Sequence, residues 1–126
     1  IAADHGSLMG MYNLGRAYIN DFDNGHNYQE GFKYIKMSAE QNFIPSLTLL
    51  GICYLNGLGT EINYQEAVKY LNKAADNGDG EALYHLGKCY KDGKGVDIDL
   101  KKAKELLIRS REHHYPVKDS EIDFVA

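Results

Sequence analysis

Residues 74–103 read AADNGDGEALYHLGKCYKDGKGVDIDLKKA, and the fold turns on whether that string is unique in the chain. It is not. Leu86-Gly87 is preceded by Leu50-Gly51 and Leu14-Gly15, each step 36 residues long. Tyr90 follows Tyr54 and Tyr18 in the same register, and Ala75 follows Ala39 and Ala3. Gly31, Ala67 and Ala103 form another column, as do Tyr34, Tyr70 and Leu106, and Ile35, Leu71 and Leu107. The string NYQE occurs at 27–30 and again at 63–66. Self-similarity at a fixed period of this size marks a repeat array, in which stacked units bury a face that one unit cannot bury alone.

Each unit reads as two helices. The first spans Leu8–Asn20, Ile44–Asn56 and Gly80–Asp92 in its three copies. Gly10, Leu14, Ala17 and Tyr18 share one face by helical spacing, as do Ser46, Leu50, Cys53 and Tyr54, and then Ala82, Leu86, Cys89 and Tyr90. The small residue that leads each set lets a neighbouring helix come close. The second helix spans Tyr28–Gln41, Tyr64–Asn77 and Leu100–His113, preceded by the N-cap residues Asn27, Asn63 and Asp99. Glu30 and Glu66 stand three residues after their caps, in capping-box position. Gly78 suits a left-handed cap, and the loops between paired helices carry Gly57 and Gly59, then Gly93 and Gly95.

The stretch DFDNGHN, residues 21–27, is the first copy of that loop. Its alternating acids resemble a calcium loop, but an EF-hand needs Gly at its sixth position and Glu at its twelfth. Counted from Asp21, Gly25 is fifth and Glu30 tenth, so the stretch reads as a solvated variant loop.

The composition sets outer limits. With 126 residues the chain is one domain's worth, long enough to bury roughly two thirds of its unfolded surface. It is 44% hydrophobic and 25% charged, as in ordinary globular proteins. A net charge of −4 argues against nucleic acid as a partner, since phosphates require a basic stripe. No apolar run reaches the ~18 residues of a membrane span, so membrane insertion is not expected. Localisation cannot be read. The chain opens with Ile1, and IAADHG matches the end of a second helix, so the array is expected to extend further on its N-terminal side.

These columns resemble the Sel1-like repeats, relatives of the tetratricopeptide repeats, whose unit reads A-x-x-G-x-x-x-A-x-x-x-L-G-x-x-Y-x-x-G-x-G-V-x-x-D-x-x-x-A-x-x-x-Y-x-K-A-A. Residues 74–103 match it almost column by column, and AEQNFIPSLTLLGICYLNGLGTEINYQEAVKYLNKAA, residues 39–75, matches clearly. The first copy matches least, because its loop lacks both glycines. The resemblance covers residues 1 to about 112 and implies an all-α fold, a right-handed α-solenoid with an α/α superhelix and a concave binding surface. It implies an adaptor or scaffold for another protein, with no cofactor. A cysteine-rich bacterial branch that binds penicillin carries a disulfide in each repeat. This chain departs from that branch, with one Cys in each of two repeats.

The expected organisation is a single domain with units at about 3–38, 39–74 and 75–112. Residues 113–126 form either a capping element or the start of a degenerate fourth unit. Pro116 is expected at the first position of a short last helix, with Val117, Ile122 and Phe124 covering the third unit.

Helical geometry locates the partner face. With Leu14 taken as pointing to the core, Met9, Tyr12, Arg16 and Ile19 point away from it. Pro45, Thr48, Ile52 and Leu55 hold the same columns in the second unit, and Glu81, Tyr84, Lys88 and Lys91 in the third. An exposed apolar stripe marks interaction surfaces, and an extended or helical peptide is expected on it, with its apolar anchors at the middle repeat and its acidic end at Lys88 and Lys91. Two alternatives stay open: Tyr12 and Tyr84 pack against adjacent first helices, or the stripe is covered by flanking repeats or a homodimer contact. A structural spacer or self-associating array is the rival function.

Other groups read as inert. Cys53 and Cys89 share a column, and equivalent helices about 8–10 Å apart are too distant for a disulfide. They read as buried small residues. His113 and His114 point about 100° apart with no ligand set to complete a metal site. His85 reads as solvent-facing. Lys101, Lys102, Lys104, Arg109 and Arg111 form a basic convex face, either a docking patch or a solvated face complementing the helix dipole. No nucleophile elbow, phosphate loop or paired acids suggest an enzyme.

Overall fold

A computed structural model describes residues 5–20 and 27–124. Seven helices follow one another: α1 (His5–Asn20), α2 (Tyr28–Glu40), α3 (Ile44–Asn56), α4 (Tyr64–Asp76), α5 (Gly80–Asp92), α6 (Leu100–Glu112) and the single turn α7 (Asp119–Ile122). There is no strand among the described residues. Each helix packs chiefly on its neighbours in sequence, so the three pairs α1/α2, α3/α4 and α5/α6 stack as an α-solenoid.

Local chemistry sets the helix ends. The side chains of Asn27, Asn63 and Asp99 accept hydrogen bonds from the backbone N–H of Glu30 (3.2 Å), Glu66 (3.1 Å) and Lys102 (3.0 Å). Asp79 does the same for Ala82 at 3.0 Å. Gly57 and Gly93 end α3 and α5 in the left-handed region, with φ of +69° and +73°. The next loop glycine answers to packing as well. A Cβ on Gly59 would lie 2.1 Å from the carbonyl oxygen of Tyr28, and one on Gly95 would lie 2.4 Å from that of Tyr64. The loop of each later unit thus presses its backbone onto the second helix of the unit before.

The continuous core runs from Ile19 and Ile35 through Leu50, Cys53, Leu71 and Leu83 to Leu86 and Leu106. Ser38 and Ser46 share a buried hydrogen bond where α2 meets α3, and Ser110 Oγ donates to the Gly80 carbonyl at 2.6 Å where α6 meets α5. The core face expected for the first unit is corrected here. Leu14 is 43% exposed and Gly10 and Ala17 are exposed, whereas Leu50 and Leu86 are 0% and 2% exposed. In the second and third units a preceding second helix covers this face, and no described helix stands before α1.

At the other end, Val117 and Ile122 bury against Leu107, with Tyr84, Tyr115 and Phe124 around them. The expected place of Pro116 is also corrected. Lys118 is the N-cap of α7, so Pro116 lies before the helix rather than at its first position.

Candidate interaction face

The outward columns of α1, α3 and α5 do not form one uniform ladder. On α1, Met9 is 50% exposed, and the Arg16 guanidinium lies 5.2 Å from the ring centre of half-buried Tyr12. Ile19 is a correction. It is buried, and its side chain fills the space in which a Cβ on Gly31 would stand. Its column turns into the seam between the two helices of the unit.

Thr48 is a second correction. It is 1% exposed, and its hydroxyl donates to Asp79 Oδ2 at 2.7 Å. Asp79 therefore caps α5 and ties α3 to it. Tyr12 and Thr48 contact the residue that precedes the next first helix, and Tyr84 contacts the residue in the same column after α6. Tyr12 meets Phe43 with ring centres 5.9 Å apart, Thr48 meets Asp79, and Tyr84 meets Tyr115 at 5.0 Å. Phe43, Asp79 and Tyr115 are themselves 36 residues apart. Between the first and second and between the second and third units this column is an inter-repeat seam.

What remains open is centred on α3 and α5. Ile52 and Leu55 are half-buried. Leu55 borders a pocket of about 200 Å³ shared with Asn56, His85, Lys88, Cys89, Asp92 and Lys94. His85 is partly buried rather than solvent-facing, with its ring edge-on to Tyr84 at 5.3 Å. Burial, aided by the charge of Lys88, pushes its pKa down to about 4, so it stands neutral at pH 7. The sequence carried one hint of this position, the apolar Leu49 in the same column of the second unit.

Farther along α5, Lys88 lies 5.3 Å from the Tyr84 ring centre and Lys91 lies 5.0 Å from that of Phe124. The Tyr84 hydroxyl donates to the Glu121 carboxylate. That bond, with burial, pushes the Tyr84 pKa up to about 12 and holds Glu121 below the usual carboxylate range. Glu81 is exposed at the start of α5.

A larger cleft lies elsewhere, about 570 Å³ between Tyr28 at the start of α2 and the loop carrying Gly57 and Gly59. It recurs 36 residues later at Gln65, Gly93 and Gly95. It is the crease left wherever a loop leans on the preceding helix. Residues 21–26 of DFDNGHN lie outside the described residues, and Asn27 serves as the cap of α2. Cys53 and Cys89 are free, buried thiols, with pKa values pushed up to about 12 and 11 by burial. On α6, Lys102 covers the ring of Tyr90 and Arg111 pairs with Asp119 at 2.7 Å.

The Sel1 repeat profile matches residues 8–43, 44–79 and 80–114, which places each unit's start at its first helix. The chain belongs to the Sel1 repeat family. Its backbone is similar to that of a Sel1 repeat protein from Oxalobacter formigenes, with a TM-score of 0.77 and 28% identity over 84% of this chain and 43% of that one. It is also similar to c5321, a protective antigen present in uropathogenic Escherichia coli strains and displaying an SLR fold. There the TM-score is 0.80 and the identity 26%, over 87% of this chain and 24% of that one. Cysteine rich protein B of Helicobacter pylori shares the fold at a TM-score of 0.68 and 20% identity, over 92% of this chain and 90% of that one. This Sel1 array thus spans less than half the length of the first two structures. No curated protein matches it. Sel1 repeats are in general non-catalytic scaffolds that mediate protein interactions. Among the described residues no helix is long and apolar enough to cross a membrane.

Proposed function

We propose that this Sel1 array is a non-catalytic adaptor segment that holds a protein or peptide partner along the concave side of α3 and α5. One observation carries the reading: half-buried Leu55, three residues on from half-buried Ile52 on α3, borders a pocket whose far wall includes neutral His85 and Lys88. Apolar groups at the centre of such a surface supply burial, and rim charges supply orientation and on-rate. Met9, Tyr12 and Arg16 would extend the surface toward the first unit. Glu81 and Lys91 would flank its far end.

The test is affinity capture with the wild-type chain beside Ile52→Glu/Leu55→Glu, after both are shown to melt alike by circular dichroism. A partner held by the first and lost by the second supports the reading. Equal capture by both contradicts it.

A second reading, self-association or a spacer role, has its own support in the exposed Leu14 of α1. A homodimer built on that face would run at twice the monomer mass in light scattering, and Leu14→Glu would return it to monomer.

A further inference from the structure

The segment after α6 is where the third unit stops behaving like the other two. The columns of Tyr84, Lys88 and Lys91 hold Thr48, Ile52 and Leu55 one unit earlier, where the next first helix takes up part of the seam. Among the described residues, α6 is followed by the four-residue α7, with Ser120 and Asp123 standing where Tyr84 and Gly87 stand in the unit before. Yet it lies against the same α5 side chains.

Its contacts are of two kinds. Ile122 and Val117 bury on Leu107, and Phe124 lies under the Lys91 ammonium. Glu121 accepts from the Tyr84 hydroxyl, Lys88 sits 3.4 Å from that hydroxyl, and Asp119 pairs with Arg111. Acids at 119 and 121 thus face a strip bearing Lys88, Lys91 and Arg111. The charged half of this hold is wet, since the Asp119 side chain is 86% exposed and that of Arg111 47%. Exposed pairs of this kind hold weakly and are screened by salt. Lys88 belongs to this strip and to the pocket bordered by Leu55, so the strip continues the face described above.

We propose that residues 117–124 are an intramolecular occupant of the α5 strip, and that the strip's external partner is a short acidic segment with the same spacing. That spacing is an acid, then an aliphatic residue directly after it, then an aromatic residue two positions further on, as in Glu121, Ile122 and Phe124. The inference rests on the reading that the concave side binds a partner, and it names that partner's chemistry. The tail competes with the partner for one seat, so the partner's apparent affinity is reduced by the fraction of molecules in which the tail is docked.

The test uses the full chain and a fluorescein-labelled peptide of sequence KDSEIDF, residues 118–124, followed by fluorescence polarisation. Glu121→Lys/Phe124→Ala loosens the tail while keeping Ile122, and this variant is expected to bind the peptide about tenfold or more tighter than the wild type does. A peptide with the same two exchanges is expected not to bind, and added salt is expected to weaken the authentic peptide. No binding to the loosened chain, or equal binding of both peptides, overturns the proposal. Amide hydrogen exchange on the wild type supplies a second check that needs no variant. The N–H groups of Glu121 and Asp123 should exchange through local opening, well ahead of those in α6. Exchange only with global unfolding would make the segment a fixed cap and end the idea. Neither measurement involves Ile52 or Leu55, so failure here is distinguishable from failure of the adaptor reading.

Discussion

The first described helix, α1, and the first helix of the third unit, α5, carry the same columns and meet opposite fates. Leu14 is 43% exposed and Leu86 is 2% exposed, although both stand before Gly and four residues before Tyr. Ala17 is open to solvent while Cys89 is buried. A column in a solenoid states what a helix offers to a neighbour. Whether that face becomes core depends on a neighbour being there, because each unit contacts only the next.

The largest expected effect sharpens this contrast directly. Leu86→Ala should cost about 2–5 kcal/mol, the range for aliphatic truncation in a packed core, whereas Leu14→Ala should cost under about 1. Urea midpoints of both variants check this. Similar losses would mean that the face of Leu14 is covered in solution.

Glycines give the next contrast. At Gly95 φ is +75° and a Cβ would strike the Tyr64 carbonyl, so Gly95→Ala should lose about 2 kcal/mol. Gly10 lies inside α1 with nothing within 4 Å of its would-be Cβ, so Gly10→Ala should gain about 0.5–1 kcal/mol. Thermal melts should therefore move in opposite directions.

A smaller effect separates the third unit by pH. His85 has a folded pKa near 4, below its ordinary value of about 6.5, so the unfolded chain takes up that proton first as pH falls. Its contribution to stability is full above about 6.5 and is lost as pH drops toward 4. A loss of about 1–2 kcal/mol is expected over that window. Asn13 and Leu49 hold the same column and do not titrate. His85→Gln should remove this component, read as the difference between urea midpoints at pH 7 and pH 4.5. An unchanged difference would place His85 in water.

The helices were legible because their signals are local. The first helices of the second and third units begin and end where the caps and glycines indicate, and the second helices stop one residue earlier than expected. Free buried thiols followed from the spacing of like helices. The misses share a different cause. Ile19, Thr48 and His85 sit where two or three helices converge, and a single-helix projection from Leu14 cannot see the third body. Thr48 gave no outward sign that it would pair with Asp79, 31 residues on. Pro116 fits a rule for helix starts, but the chain first lays Val117 on Leu107 and turns only afterwards.

The most direct test of the claim that neighbours decide each column's fate is thiol reactivity in Ala17→Cys. Position 17 shares its column with Cys53 and Cys89, whose buried thiols also resist ionisation. A disulfide reagent added to the native variant should label the introduced thiol promptly and leave Cys53 and Cys89 untouched until denaturant is added. Protection of all three alike would show that something covers α1, and the account of an open first unit would be wrong.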